Sequence, residues 1–336
     1  MMEKLPSVRD FLFVNKTILL RTNYDVPLKE GRVADTSRID ESLSTLNYLL
    51  EQKAKVVILS HLGRPEGQVK PELSLKPVIN YLSMILKKEI PLSSDLLRRV
   101  DQGIIMLENL RFWPGEENND QTFVQQLASL GDFYVNDAFA CSHRPHASIV
   151  GLPKILPSAF GLDFLKEVEI LSRLRENPKR PVTVILGGAK EDKLEVLEQL
   201  LDWADNILVG GKLPQFIKQP YPDKVLVAQL NNEGKDITLE SVNQFKEIIK
   251  QSGTVLWAGP MGIFEEPENE EGTKQIAQVV SESQAFKTIG GGDTEAALTK
   301  FDLEKNIDYI SSGGGAMFEF LAKGTLPGIE TIIKHD

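Results

Sequence analysis

Cysteine is almost missing from this sequence: Cys141 is the single thiol in 336 residues. One thiol excludes an intramolecular disulfide framework and fits a reducing compartment, so a cytoplasmic protein is expected. Long apolar runs are missing too. None could cross a bilayer, and the opening "MMEKLPSVRD" has no secretory pattern, so no membrane association is expected. An excess of positive charge is absent; the formal net charge of −10 argues against general attraction to nucleic acid. Any anionic ligand must therefore be held by a local basic cluster, against the overall field. Two familiar phosphate motifs are also lacking. There is no G-x-x-x-x-G-K-[ST], and no G-x-G-x-x-G follows the first strand of either half. By motif, the chain is neither a P-loop enzyme nor an ordinary dinucleotide binder.

What is present is an ordinary globular composition, 41% hydrophobic and 26% charged, in a chain too long for one comfortable core. Two domains are expected. Short apolar runs alternate with stretches of helical period. "TILL" precedes "SRIDESLSTLNYLLEQ", where Ile39, Leu43, Leu46 and Leu50 recur at helical spacing after a Thr/Ser start signal. "VVIL", "IIML" and "FYV" continue the series, the last followed by a long polar loop. A second series starts after "ENPKRP" with "VTVIL", "NILV", "KVLVA", "TVLW", "FKTI" and "DYI". Strands separated by helices imply α/β architecture: two Rossmann-like domains, each a parallel sheet with helices on both faces. The amphipathic stretch "LDFLKEVEILSRLREN" lies between the series and ends at Asn177-Pro178, a boundary signal.

In open α/β sheets, ligands bind beyond the carboxyl ends of the strands. After the first-half runs come "RTNYD", "SHLGRP", "ENLRFWPGEE" and "NDAFACSHRPHAS", rich in Arg and His. Arg21, Arg38, His61, Arg64, Arg111, His143, Arg144 and His146 suit a small multiply charged anion, which guanidinium forks grip in bidentate fashion. The plainer reading is surface arginines paired with Asp25, Glu108 and Glu116; four such loops on one sheet edge favour the anion pocket. His143 and His146 lie beside Arg144 with no convincing cysteine or carboxylate set, a poor metal site. Cys141 reads as filler, and Phe112 and Trp113 as packing residues.

The second-half loops are glycine-rich: "GGAK", "GGK", "AGPMG", "GGGDT" and "SSGGG" hold twelve glycines. Glycine lets backbone approach a phosphate, and a glycine run entering a helix points N–H groups at an anion. "GGGDTEAAL" and "SSGGGAMFEFL" both have this form. Asp293 suits Mg²⁺ bridging phosphates, or equally a helix N-cap. Lys190 and Lys193 start a helix, where a cation is favourable only beside an anion, so Lys190 reads as phosphate-facing, with a surface lysine as the alternative. "FEEPENEEG" is ordinarily a solvated loop, though one glutamate in it could meet a sugar hydroxyl. A cationic half and a bare-backbone half suit phosphoryl transfer, which needs alignment and charge neutralisation. Half-sites on separate domains imply hinge closure.

These loops, in this order, closely resemble the phosphoglycerate kinase family. "SHLGRP", "ENLRFWPGEE", "VNDAF…HRPHAS", "LGGAK", "GPMGIFE", "GGGDT" and "GGGA" carry the resemblance from end to end. It implies glycolytic phosphoryl transfer between ATP and 3-phosphoglycerate, giving ADP and 1,3-bisphosphoglycerate, with Mg²⁺ carried as MgATP or MgADP. By resemblance, Asn23, Asp25, Arg38, His61, Arg64, Arg111 and Arg144 line the phosphoglycerate pocket. Gly187, Lys190, Gly211, Glu265, Gly290, Gly291, Gly292, Asp293 and Thr294 belong to the nucleotide side, Glu265 near the ribose and Asp293 at the metal. Arg38 neutralises the transferring group, Lys190 follows it, and Gly314 and Gly315 present helix N–H groups. The implied domains are 1–158 for phosphoglycerate, 159–178 as interdomain helix, 179–318 for nucleotide, and a tail, 319–336, returning to the first domain. A monomer is expected.

Four departures from the family pattern stand out. The family has Asp and Asn where this chain has Asn23 and Asp25, which share a strand face roughly 6–7 Å apart. "GGAKEDK" is one residue short, turning Lys193 by about 100° around a helix. Ala258 replaces Asn in Trp-Asn-Gly-Pro. Finally, the segment between "GGKLPQF" and "TVLWAG" is several tens of residues short, and "GKDIT" is a worn copy of a nucleotide-contacting Gly-x-Asp-Ile-Gly. The alternatives left open are a catalytically impaired phosphoglycerate- or nucleotide-binding relative, and a kinase for another small acid.

Overall fold

The computed structural model describes residues 5–96, 103–191 and 193–334. The chain divides into two compact units, 1–169 with 326–336, and 170–325. In the first unit, β1 (Thr17–Thr22) is followed by a small hairpin, β2 (Leu28–Lys29) and β3 (Arg32–Val33), then α1 (Ser37–Glu51) and β4 (Lys55–Leu59). Next come α2 (Lys76–Leu86), β5 (Leu92–Ser93), β6 (Ile104–Leu107), α3 (Pro114–Glu117), α4 (Gln121–Ala128), β7 (Phe133–Asp137) and β8 (Ser158–Phe160). Apart from the hairpin, the strands form one parallel sheet in the order β5-β6-β4-β1-β7-β8. Parallel strands are covered on both faces, which is why "TILLRT" and "KVVIL" read as near-continuous apolar runs. Ile18, Leu20, Val56 and Ile58 pack with Ile39, Leu46 and Leu49 of α1 in one core cluster.

The helix α5 (Leu162–Glu176) carries the chain from one unit into the other, the division falling after Glu169. In the second unit follow β9 (Val182–Leu186), α6 (Lys193–Leu200), β10 (Asn206–Val209), β11 (Val225–Val227), α7 (Leu239–Gln251) and β12 (Thr254–Ala258). The unit closes with α8 (Glu271–Glu282), β13 (Phe286–Gly290), α9 (Gly292–Lys300), β14 (Tyr309–Ser311) and α10 (Gly314–Lys323). All six strands pair in parallel, in the order β11-β10-β9-β12-β13-β14. These are the six apolar runs of the second series. The last helix, α11 (Pro327–Ile333), belongs to the first unit, where Gly328 N donates to Ser142 O at 2.9 Å.

Each sheet reverses its direction of growth once, between β1 and β7 in the first and between β9 and β12 in the second. The loops leaving those strands diverge there and open a crevice at the carboxyl edge. One local expectation needs correction. The stretch after "FYV" is not a polar loop: Ala147 to Leu152 are buried in a turn of π-helix and the start of a 3-10 turn. It leads into β8, whose three residues "SAF" are too few to show a period.

Candidate active site

The crevice beside β1 gathers four loops of the first unit. Arg21, the penultimate residue of β1, is fully buried; its Nε donates to Ser148 Oγ at 2.8 Å. Ser148 Oγ in turn donates to Glu116 Oε1 at 2.6 Å, and its backbone N to Glu116 Oε2 at 3.0 Å. The other end of the guanidinium meets His61, with Arg21 Nη2 3.3 Å from Nδ1. His61 Nε2 lies 3.9 Å from Asp25 Oδ2, and Asp25 Oδ1 accepts from Gly63 N at 2.8 Å. Cys141 Sγ sits 3.8 Å from Asn23 Oδ1 and 3.9 Å from His61 Nδ1. Asn23 is 8% exposed, yet its Nδ2 has no hydrogen-bond partner. A buried amide N–H without an acceptor is costly unless a ligand supplies one.

Electrostatics follow from this crowding of cations. Burial first, then the charges of Arg111, Arg21, His146 and Arg38, hold His61 well below its ordinary pKa. His146 is pushed down to about 3, by burial and then by Arg111, Arg21, Arg144 and His143. Both rings are neutral at pH 7, so the fixed positive charge comes from the arginines. Arg111 donates to Gly63 O at 2.8 Å and pairs with Glu117 at 3.3 Å. Arg38 donates to the backbone oxygen of Asp25. Arg64 and Arg144 are exposed. Of the acids offered as plain partners, Glu116 does approach Arg21, at 3.9 Å. Glu108 instead has a structural role, accepting from Ser74 Oγ and the N–H groups of Leu75 and Asn109. Phe112 is buried, and Trp113 packs on Phe123 with ring centroids 6.1 Å apart.

The second unit builds its crevice from backbone. At Gly259, φ is +95°, and an added Cβ would lie 2.1 Å from Gly187 O, so the loops after β9 and β12 touch. Trp257 Nε1 donates to Gly259 O at 2.8 Å, and Gly259 N donates to Thr294 Oγ1 at 2.7 Å. Thr294 is fully buried and ties the loop after β12 to the end of β13, its Oγ1 donating to Gly290 O at 3.2 Å. Lys193 Nζ donates to Gly187 O at 2.7 Å, within the same knot, whereas Lys190 stands exposed before α6. Asp293 is exposed in the first turn of α9, and Glu265 is exposed after β12. Neither α9 nor α10 has a side-chain N-cap hydrogen bond. "GKDIT" holds the loop and helix ends together. Its Asp236 is 5% exposed, accepting from Ile237 N and, at the start of α8, from Gly272 N, both at 2.8 Å. Among the described residues, no group of three or more His, Cys, Asp or Glu could hold a metal ion.

Residues 8–221 and 222–324 match the family model described as phosphoglycerate kinase. The chain belongs to the phosphoglycerate kinase family. It is accordingly a phosphotransferase of glycolysis. The phosphoglycerate kinase of Finegoldia magna is 39% identical over 390 aligned positions, covering 97% of this chain and 98% of that protein. That of Thermomicrobium roseum is 37% identical over 389 positions, with 98% and 99% covered. Solved phosphoglycerate kinases from Pyrococcus horikoshii and Coxiella burnetii superpose with TM-scores of 0.83 and 0.78, at 28% and 33% identity. Each comparison covers 98% of this chain and 99% of the other.

An alignment of 390 positions against 336 residues means that this phosphoglycerate kinase lacks several tens of residues found in its relative. The family match divides between Tyr221 and Pro222. That point lies in the β10–β11 connection, whose only helical turn is the 3-10 stretch Leu213–Phe216. Parallel strands are usually joined through an α-helix. Here the crossover is cut to a loop, and β11 remains as the sheet edge. Ala258 helps to hold Gly314 as glycine: a Cβ added at Gly314 would lie 2.8 Å from Gly290 O and 2.9 Å from the Ala258 Cβ, and nothing in the structure explains the alanine itself.

Proposed function

We propose that the chain transfers a phosphoryl group reversibly between ATP and the carboxylate of 3-phosphoglycerate, with the acid held in the first unit and the nucleotide in the second. The observation that carries the acid site is the buried, unpartnered Asn23 Nδ2, whose neighbour Cys141 also meets His61, a ring under the charges of Arg111, Arg21 and Arg38. A dense cationic pocket with an amide N–H lacking its acceptor calls for an oxyanion. Arg64 and Arg144 then close over it from the rim. Arg38 neutralises charge on the transferring group and Lys190 follows it. On the nucleotide side, the uncapped N-termini of α9 and α10 support phosphate binding, Gly314 and Gly315 supplying N–H groups. Gly187, Gly211 and Gly290 to Gly292 let backbone lie against the nucleotide, Thr294 braces those loops, and Glu265 meets the ribose. Mg²⁺ arrives on the nucleotide and needs only one or two carboxylates besides phosphate oxygens; the exposed Asp293 fits that mode. We assign the enzyme to the cytoplasm, as a monomer.

A coupled assay with ATP, Mg²⁺ and 3-phosphoglycerate tests this reading, and turnover is expected. Calorimetric binding of phosphoglycerate without turnover would leave a binding protein only. One observation supports a second reading, a different small acid: the Asp25 carboxylate, 42% exposed, lies beside His61 and acts on Arg111, a cation a substrate anion would use. Turnover confined to another acid would establish it.

A further inference from the structure

Beneath the anion site runs a chain of groups closed off from solvent. Glu116 and Arg21 are fully buried, and Ser148 between them is fully buried as well. Ser148 is wholly engaged: it takes the Nε–H of Arg21 and gives its own proton to Glu116 Oε1. Held there, Arg21 turns Nη2 toward His61 Nδ1 at 3.3 Å and gives Nη1 to Thr22 O. A guanidinium only donates, so the ring nitrogen it faces must be the acceptor. The imidazole proton then sits on Nε2, the nitrogen on the Asp25 side of the ring. A doubly protonated ring would set an N–H against the N–H of Arg21.

We propose that Glu116 and Ser148 are positioning residues, which act through Arg21 to fix His61 in the tautomer that carries its proton on Nε2. His61 then offers the substrate oxyanion a directed neutral N–H beside the arginines. The geometry divides the work: Arg111 and Arg38 supply charge, and Glu116–Ser148–Arg21 supplies orientation. Glu116 stands 4.0 Å from His146 Nδ1, beyond hydrogen-bond reach, so its orienting contact runs through Ser148. The inference rests on the phosphoglycerate reading for its kinetic consequence, but the tautomer itself is a property of the free protein.

The test uses ¹⁵N-histidine-labelled full-length protein without ligand, at pH 7.5. Wild type should give a His61 Nδ1 signal of the bare, acceptor type and an Nε2 signal of the protonated type. In Ser148→Ala both signals should move toward the average of two exchanging tautomers. KM for 3-phosphoglycerate should rise about tenfold, the factor carried by one charge-assisted hydrogen bond, with the loss falling on KM more than on kcat. Ser148→Thr, which restores a hydroxyl, should recover the wild-type signals. Should Ser148→Ala fail to fold, Arg21→Lys serves in its place. A lysine keeps the charge but cannot bridge Ser148 and His61 together, so the same mixing is expected. Wild-type tautomer and wild-type KM in either folded variant would overturn the proposal. Absence of turnover in wild type, with the Nε2–H tautomer intact, would instead overturn the phosphoglycerate reading alone.

Discussion

Asp25 and Asp137 show how one carboxylate can be judged from its neighbours. Asp25→Asn keeps the acceptor for Gly63 N–H and removes a negative charge from an anion site. KM for 3-phosphoglycerate should fall by about tenfold, as for one like charge at short range in a partly screened pocket. A rise in KM would mean that the carboxylate accepts a substrate hydroxyl. Asp137, the last residue of β7, is buried against the start of α5 and accepts from Phe164 N at 3.0 Å. Burial, and then the charge of Asp163, push its pKa up to about 7. The folded protein thus favours the protonated acid, so this stabilisation is complete below the unfolded pKa near 4 and is lost as pH rises through about 7. Asp137→Asn should abolish that loss. Urea unfolding at pH 5.5 and 8 should show wild type losing on the order of 2 kcal/mol relative to the variant. The neutral histidines act oppositely, losing stability as pH falls below about 6.5, but equally in both proteins.

At the scale of elements, the second unit sets glycine loops in close contact above a packed side-chain core. Gly259→Ala places a methyl group 2.1 Å from Gly187 O in a positive-φ conformation. It should cost at least about 2–3 kcal/mol in urea unfolding and raise the KM for ATP, because the loops after β9 and β12 must part. Asp236 separates two roles that sequence alone leaves joined. As the acceptor for Gly272 N at the start of α8, its change to Ala should lower stability by roughly 1–2 kcal/mol. The KM for ATP should stay within about twofold of wild type, since lost capping is a stability effect. A large KM change with unaltered stability would restore "GKDIT" as a nucleotide contact.

On the scale of the whole molecule, the chain crosses between its units twice, within α5 and again after Thr325. The returning α11 is a structural part of the first unit. Leu326, Ile329 and Ile332 are buried there, and Gly328 N donates to Ser142 O. Burying three such side chains contributes roughly 4–8 kcal/mol, a large share of ordinary domain stability. A chain ending at Thr325 should therefore unfold its first unit at markedly lower urea. It should lose phosphoglycerate binding by calorimetry before nucleotide binding. Equal loss of both ligands would contradict this division of labour.

The parallel sheets and the cation-rich and glycine-rich strand ends were legible in the sequence because their causes are local. Burial on both faces writes apolar runs, period 3.6 writes helices, and α/β sheets place their ligands after the strands. The short strand β8, with three residues, carries no such period. Nor could spacing reveal that Arg21 is a buried scaffold: its hydroxyl partner is 127 positions away, and Glu116 reaches it through that hydroxyl. Nor does spacing show that Thr294 also braces the loop after β12, because Gly259, which donates to it, lies 35 positions off. Desolvation and hydrogen-bond pairing depend on neighbours distant in sequence, so which cations are solvated, which are paired, and which nitrogen of His61 holds its proton were decided only by the tertiary structure.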